Sequence, residues 1–245
     1  MKYVWLIAFV LPLGHAADVC NPANFPGAYG FLLSGTATIT GEAKPVVSVA
    51  RVVFDDSGKV SGTSSVNFRG LLLGNSVTGD YALTSDCSLT WKLQDPSGNV
   101  QNFAGKVSLD GQHVAFTQTD PGSTQRGAMV RSAESCPSSD FRGHYRLAIA
   151  GTTMSMETGL VTGAMKINGA IEADGNTGLR YTPDRDSSPI ESASFQMEGE
   201  CLVHVEFTRA GQTMNFRAVV GNAGKELMGI QTDAGATVTL RLTAQ

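Results

Sequence analysis

The side chains with the clearest chemical potential are cysteines and histidines that lie beyond the first sixteen residues. They are Cys20, Cys87, Cys136, Cys201, His113, His144 and His204. No two cysteines have the Cys-x-x-Cys spacing of a zinc site, and the histidines are scattered along the chain. The histidines fall on polar faces or near the ends of candidate strands, so we expect them to be solvated. The sequence therefore predicts no metal centre.

Spacings that identify common catalytic sites are also missing from the sequence. It contains no Gly-x-Ser-x-Gly elbow, His-Glu-x-x-His motif, phosphate-binding loop or calcium loop. This argues against an enzyme without excluding one, and no cofactor is expected. A net charge of −4 with 16% charged residues excludes nucleic-acid binding through a basic surface.

A Gln-Thr-Asp motif occurs twice, at 118–120 before Pro121-Gly122 and at 231–233 before Ala234-Gly235. An aspartate at the end of a strand can accept backbone N–H hydrogen bonds and cap the following turn. We favour this structural role. A role in binding would require the glutamine to point into the mouth of a barrel.

Five residues in strand-like segments are candidate ligand contacts. They are Arg51, Tyr81, Trp91, Arg180 and Tyr181. A charged group that points into a small barrel is costly unless it is paired, so it would mark a ligand site, whereas an outward one is an ordinary surface residue. Arg51 is the most notable, because it shares a strand face with three valines.

The N-terminus predicts export. Met1-Lys2 is followed by an apolar run over residues 3–13 and by small residues at Gly14 and Ala16, which is typical of a secretory signal peptide. The run is too short to span about 30 Å of hydrocarbon, and no later segment approaches 18 consecutive apolar residues. We therefore expect a secreted or periplasmic protein with no membrane span.

An internal repeat is the strongest signal in the sequence. The segment 20–29 aligns without a gap with 136–145, and 81–87 aligns with 195–201. The offset between the copies drifts only from 116 to 113 residues. The predicted segments are a signal peptide over 1–16, a first domain over 19–131, a linker over 132–134 and a second domain over 135–245.

The repeat also selects a disulfide pairing. An even number of cysteines in an exported chain indicates two disulfides, for which three connectivities are possible. Because each copy carries one early and one central cysteine, we expect Cys20–Cys87 and Cys136–Cys201. Each bridge would close a loop of about 65 residues and contribute about 4 kcal/mol in the chain-entropy treatment.

The local pattern predicts β-structure throughout. Segments of roughly 8–12 residues alternate in polarity and are separated by turn sequences such as Asp110-Gly111. Leu89, Trp91 and Leu93 alternate with polar residues, and the second copy repeats this pattern at 203–207. We predict an all-β protein with two tandem antiparallel up-and-down barrels of about eight strands each; a pair of β-sandwiches is the alternative. One sixteen-stranded outer-membrane barrel is disfavoured by the 7% aromatic content.

Three stretches of the first copy resemble a family of small exported bacterial proteins without an assigned activity. They are Cys20-x4-Phe25-x-Gly27-x-Tyr29-Gly30, Phe54-Asp55-Asp56-Ser57-Gly58-x-x-Ser61-Gly62, and Gly79-Asp80-Tyr81 leading to Asp86-Cys87. The resemblance covers most of the first copy and, more faintly, the second. It implies a calycin-like barrel similar in shape to lipocalins, allene oxide cyclases and dirigent proteins. This analogy concerns the fold and transfers no activity.

The leading functional hypothesis is a binding protein for a small apolar or amphipathic molecule, since an eight-stranded barrel can hold one small ligand. A structural or interaction module with filled barrels is the second hypothesis. The third is an isomerase or cyclase that uses an internal polar group such as Arg51 or Tyr81.

Overall fold

A computed structural model describes residues 21–39, 41–68, 71–158, 160–187 and 189–245. The predicted signal peptide over 1–16 and Cys20 lie outside the described residues. No helix in the described ranges is both long and apolar enough to cross a membrane.

The first eight strands form a closed antiparallel barrel. Each strand pairs with its neighbours in sequence, and β8 closes the barrel by pairing with β1. The strands are β1 Gly27–Ile39, β2 Glu42–Phe54, β3 Lys59–Phe68, β4 Leu71–Leu83, β5 Ser88–Gln94, β6 Val100–Val107, β7 His113–Gln118 and β8 Arg126–Arg131.

The next eight strands repeat this arrangement in a second closed barrel, where β16 pairs with β9. The strands are β9 Arg142–Met154, β10 Val161–Asp174, β11 Gly178–Pro183, β12 Ser192–Gly199, β13 Leu202–Arg209, β14 Gln212–Gly221, β15 Glu226–Gln231 and β16 Ala236–Ala244. The prediction of two eight-stranded up-and-down barrels is confirmed, and the β-sandwich alternative is not adopted.

Alternation of side chains decides what fills each barrel. In β5, Leu89, Trp91 and Leu93 are buried and alternate with polar residues that face solvent. Because successive strand residues point to opposite faces, every second residue enters the barrel. In β13 the equivalent buried residues are Val203, Val205 and Phe207.

One end of each barrel is closed by a short 3-10 helix that precedes its first strand, at 22–24 and 138–140. In the first barrel the Tyr29 hydroxyl donates hydrogen bonds to the carbonyls of Gly111, at 2.8 Å, and Phe25, at 3.0 Å. Burial raises the pKa of Tyr29 to about 12, although the nearby Arg131 guanidinium acts in the opposite direction. The second barrel repeats the arrangement with Tyr145, whose hydroxyl donates to the Gly224 carbonyl at 2.8 Å.

The disulfide predicted for the second copy is present, with Cys136 and Cys201 joined across 65 residues. Cys87 is also disulfide-bonded. Its predicted partner, Cys20, lies outside the described residues.

The two barrels contact each other through a stripe of outward-facing apolar residues, the contact stripe. It consists of Leu32, Val47, Val49 and Val130 from the first barrel and Leu202, Val219, Met228 and Ile230 from the second. Strand β2 is consequently buried on both faces from residue 46 to residue 50, and β15 is buried on both faces from 227 to 231.

The barrels approach closely because glycines lie opposite valines in this contact. A Cβ atom at Gly30 would lie 2.7 Å from Val219 Cγ1, and one at Gly221 would lie 2.8 Å from Val130 Cγ1. A hydrogen bond of 3.0 Å between Arg217 Nη1 and Ser65 Oγ flanks the stripe.

The contact surfaces are different in the two copies. Strand registers show which residues of the second barrel are equivalent to Val47, Val49 and Val130 of the stripe. They are Lys166, Asn168 and Thr243, respectively. Likewise, Ser88, Lys106 and Thr117 of the first barrel are the equivalents of Leu202, Val219 and Ile230. The barrels therefore meet through two non-equivalent faces.

Contacts at the two ends of the interface show how the barrels are aligned. Near the open end of each barrel, Asn67 Nδ2 donates to the backbone carbonyl oxygen of Gln231 at 3.0 Å. Near the closed ends, His113 Nε2 lies 2.8 Å from Glu226 Oε1. The barrels thus lie side by side, and both open ends face the same side of the molecule.

Candidate functional site: two barrel mouths

The open end of the first barrel, the first mouth, contains a cavity of about 320 Å³. Its apolar wall includes Val46, Val77 and Leu93, all nearly inaccessible to solvent. Five amide side chains line it as well. They are Asn75, Asn99, Gln101, Gln118 and Gln125. The cavity therefore combines an apolar wall with groups that both donate and accept hydrogen bonds.

A hydrogen-bond network fixes the glutamine of the first Gln-Thr-Asp motif. Gln118 Oε1 accepts hydrogen bonds from Gln125 Nε2 and, at 3.0 Å, from Ser123 Oγ. Gln118 Nε2 donates to Asp120 Oδ2 at 2.7 Å. Asp120 also accepts from the backbone N–H of Asn102 at 2.9 Å and from Asn102 Nδ2 at 2.7 Å. Every polar atom of the Gln118 amide is thus engaged.

The pKa of Asp120 reflects this network. Partial burial on its own would raise the pKa, but the hydrogen bonds from Asn102 and Gln118 stabilise the carboxylate and hold the pKa below its usual value. The Asp120 carboxylate accepts a backbone N–H, as the sequence predicts, but the N–H belongs to Asn102 on β6 and not to the following turn. The glutamine two residues earlier lines the mouth, which is the position that a role in binding would require.

The open end of the second barrel, the second mouth, contains a cavity of about 410 Å³. Asp233 accepts from the Asn215 backbone N–H at 2.8 Å, from Asn215 Nδ2 at 2.7 Å and from Gln231 Nε2 at 2.8 Å. This repeats the Asp120 arrangement. The two mouths differ around the side-chain oxygen of the glutamine. Ala236 and Val238 occupy the positions of Ser123 and Gln125, which donate to that oxygen in the first mouth.

Gln231 Oε1 consequently has no hydrogen-bond partner within the described residues, although only 5% of the residue is exposed. A buried unsatisfied carbonyl oxygen costs about 1–3 kcal/mol. The second mouth therefore carries an unfavourable polar group that the first mouth satisfies.

Two of the five candidate ligand contacts lie in the wall of the first barrel. The Trp91 indole stacks on the Phe103 ring with centroids 5.0 Å apart, and its Nε1 is buried with no partner in the described structure. The Tyr81 hydroxyl donates to the Asp55 carbonyl at 2.6 Å near the closed end. Both line a shallow surface depression of about 500 Å³ that is separate from the first mouth.

The other three candidates lie elsewhere. Arg51 is outside the first barrel, where its Nη2 donates to the linker carbonyl of Ala133 at 3.1 Å. Arg180 is exposed on the outer face of β11. The Tyr181 hydroxyl donates to the Asn168 carbonyl at 2.8 Å. The structure therefore does not bring the five together into one site.

The five amides of the first mouth form an amide rim, of which only Gln118 was considered as a mouth residue from the sequence. Its signal was available, because Gln101 lies two residues before the buried Phe103 and Gln118 two residues after the buried Phe116. Residues two apart share a strand face, so this spacing places both amides on the face that enters the barrel.

Large exposed hydrophobic side chains are concentrated around the two mouths. Seven of the nine found in the described residues lie there: Leu71, Leu72, Leu73, Val100, Met156, Leu160 and Val161. Since apolar patches on a soluble protein often mark binding surfaces, this side of the molecule is the candidate functional face. In the described part of the chain, no group of three or more histidine, cysteine, aspartate or glutamate residues is placed to hold a metal.

Comparison with known proteins gives only a weak structural likeness. No protein-family model and no curated protein matches the chain. A crystal structure described as a "putative AttH" from Nitrosomonas europaea is 10% identical, with 97% of this chain and 99% of that chain covered and a TM-score of 0.28. Similarity at this level transfers no function. The two closed eight-stranded barrels are consistent with the calycin-like shape expected from the sequence.

Proposed function

We propose that the protein binds a small amphipathic molecule in the first mouth. The observation that carries this proposal is the 320 Å³ cavity, in which an apolar wall meets a rim of amides. Its volume is at the lower end of the range of about 300–1,000 Å³ for small-molecule sites. The apolar part of the ligand would contact Val46, Val77 and Leu93.

The rim chemistry favours an uncharged head group. Amides offer donors and acceptors without net charge, so they suit a hydroxyl, amide or ester better than a carboxylate. Asp95 also lines this cavity, and a hydrogen bond from Asn99 lowers its pKa, so the carboxylate would repel an anionic head group.

The packed interior below the mouth limits how deep a ligand can reach. Phe31, Trp91, Phe103 and Phe116 contact one another there with ring centroids 4.8–5.8 Å apart. This filled core supports a shallow binding site rather than a hollow barrel.

We also propose that the protein acts outside the cytoplasm. The Cys136–Cys201 disulfide supports this, because disulfides form and persist in secreted and periplasmic proteins.

The test is a thermal-shift and NMR screen of the purified protein with medium-chain alcohols, fatty amides and monoacylglycerols. We expect binding compounds to shift amide resonances of β6–β8 around the first mouth. Gln101→Leu removes one rim amide and should weaken binding by about tenfold, the equivalent of one hydrogen bond of about 1.4 kcal/mol. Gln112→Leu, near the closed end, is the matched control and should bind like the parent protein. The proposal fails if no compound in these classes binds or if the shifts map to another surface.

A further inference from the structure

The second mouth contains an unusual concentration of thioethers. Met154, Met165 and Met214 line its 410 Å³ cavity. Met156 lies beside the same opening, since its Cγ is 3.7 Å from the position of a Cβ on Gly235, which also lines the cavity. Half of the eight methionines in the chain thus lie around one opening.

The first copy shows that barrel packing does not require methionine at these positions. Strand registers make Thr38, Val46 and Gln101 the equivalents of Met154, Met165 and Met214. Two of these three are polar, and the first barrel closes with the same strand order. A methionine that only filled a core gap would replace another apolar residue, whereas here thioethers stand mainly where the other copy has hydrogen-bonding groups.

The methionines of this cavity come from different sides of the barrel. Met165 on β10 and Met214 on β14 come from opposite sides of an eight-stranded barrel, and both line the same cavity. Met154 adds a third thioether from the end of β9. Met154 and Met214 are each only 6% exposed, so their sulfurs are largely sheltered from water.

We propose that the second mouth binds a soft monovalent metal ion, Cu(I), through these methionine sulfurs. Neutral thioethers are soft ligands that favour Cu(I) over hard cations such as Mg²⁺ and Ca²⁺. Asp233 and Arg209 also line the opening with opposite charges, so selection rests on the sulfurs rather than on electrostatic attraction. The proposal departs from the prediction of no metal centre, which was argued from cysteine and histidine spacing and did not consider methionine.

The experiment uses the purified protein with Ag(I), an air-stable soft ion of the same charge, and with Cu(I) under ascorbate in competition with a chromogenic chelator. Methionine methyl groups labelled with ¹³C report which sulfurs respond. We expect one equivalent of either ion to bind, with shifts confined to Met154, Met156, Met165 and Met214. Zn²⁺ at the same concentration should leave these signals unchanged.

The variants separate metal binding from packing, because leucine is close to methionine in volume. Met165→Leu combined with Met214→Leu should weaken Ag(I) and Cu(I) binding at least tenfold while the apo protein melts normally. Met197→Leu, which changes a methionine packed against the same barrel core but outside the cavity lining, is the control and should bind like the parent. The proposal is overturned if neither ion binds, if the double variant binds undiminished, or if the control loses binding equally.

Discussion

The two mouths share one hydrogen-bond arrangement around an aspartate and differ in the side chains that surround it. Asp120 and Asp233 each hold an asparagine N–H, an asparagine amide and a glutamine amide at matching distances. Beyond the glutamine the copies diverge, since the first mouth satisfies Gln118 and the second leaves Gln231 Oε1 unpaired. The aspartate arrangement is thus common to both copies, whereas the side chains that line each mouth are different.

The largest effect on stability is expected from removing the aspartate that both mouths share. Asp233→Ala leaves the Asn215 and Gln231 donors without their acceptor, and we expect a loss of about 3 kcal/mol in the free energy of unfolding, because hydrogen bonds to charged groups are worth about 1.5–3 kcal/mol. Asp120→Ala should cost less, since its bonds to Asn102 are exposed whereas those of Asp233 to Asn215 are partly buried. Urea unfolding measures both. Equal losses in the free energy of unfolding would contradict the expectation that burial strengthens the hydrogen bonds of Asp233 relative to those of Asp120.

A reciprocal exchange tests the difference between the linings. Ala236→Ser places a hydroxyl where Ser123 satisfies Gln118, so it should satisfy Gln231 Oε1 and stabilise the protein by about 1 kcal/mol. Ser123→Ala should destabilise by a similar amount. The melting temperatures should move in opposite directions. Destabilisation by Ala236→Ser would show that the hydroxyl does not reach Gln231 Oε1.

The smallest test uses pH. The lowered pKa of Asp120 means that its contribution to stability is fully present above the unfolded value of about 3.9 and is lost as the pH falls through the lower folded value. Asp120→Asn should therefore flatten the decrease in melting temperature between about pH 5 and pH 2.5 relative to the parent protein. The same substitution at Asp184, an exposed partner of Arg146, is the control for a surface carboxylate. An unchanged slope in Asp120→Asn would contradict the assignment.

Much of the fold could be predicted because repeat and alternation are local properties. The alignment of 20–29 with 136–145 and the alternation around Trp91 suffice to predict two barrels and the side of β5 that enters the core. The alternation around Arg51 was ambiguous for a physical reason. Val47 and Val49 are apolar because they contact the second barrel, so they mark an interface rather than a barrel interior.

The candidate sites were harder to predict, because their residues are close only after the barrels close. Gln101, Gln118 and Asn75 come from three strands, and no short motif contains them. The methionines of the second mouth are separated by up to 60 residues, from 154 to 214. Only the strand register places them at one opening.

The contact stripe also determines how many barrels can associate. A contact between two different faces can be repeated head to tail when every copy carries both faces, and such a repeat builds a ring or an open fibre. Here each free face is polar: Lys106 and Thr117 interrupt it on the first barrel, and Lys166 and Asn168 interrupt it on the second. These four residues remove from the free faces the apolar surface that a further contact of this kind would need.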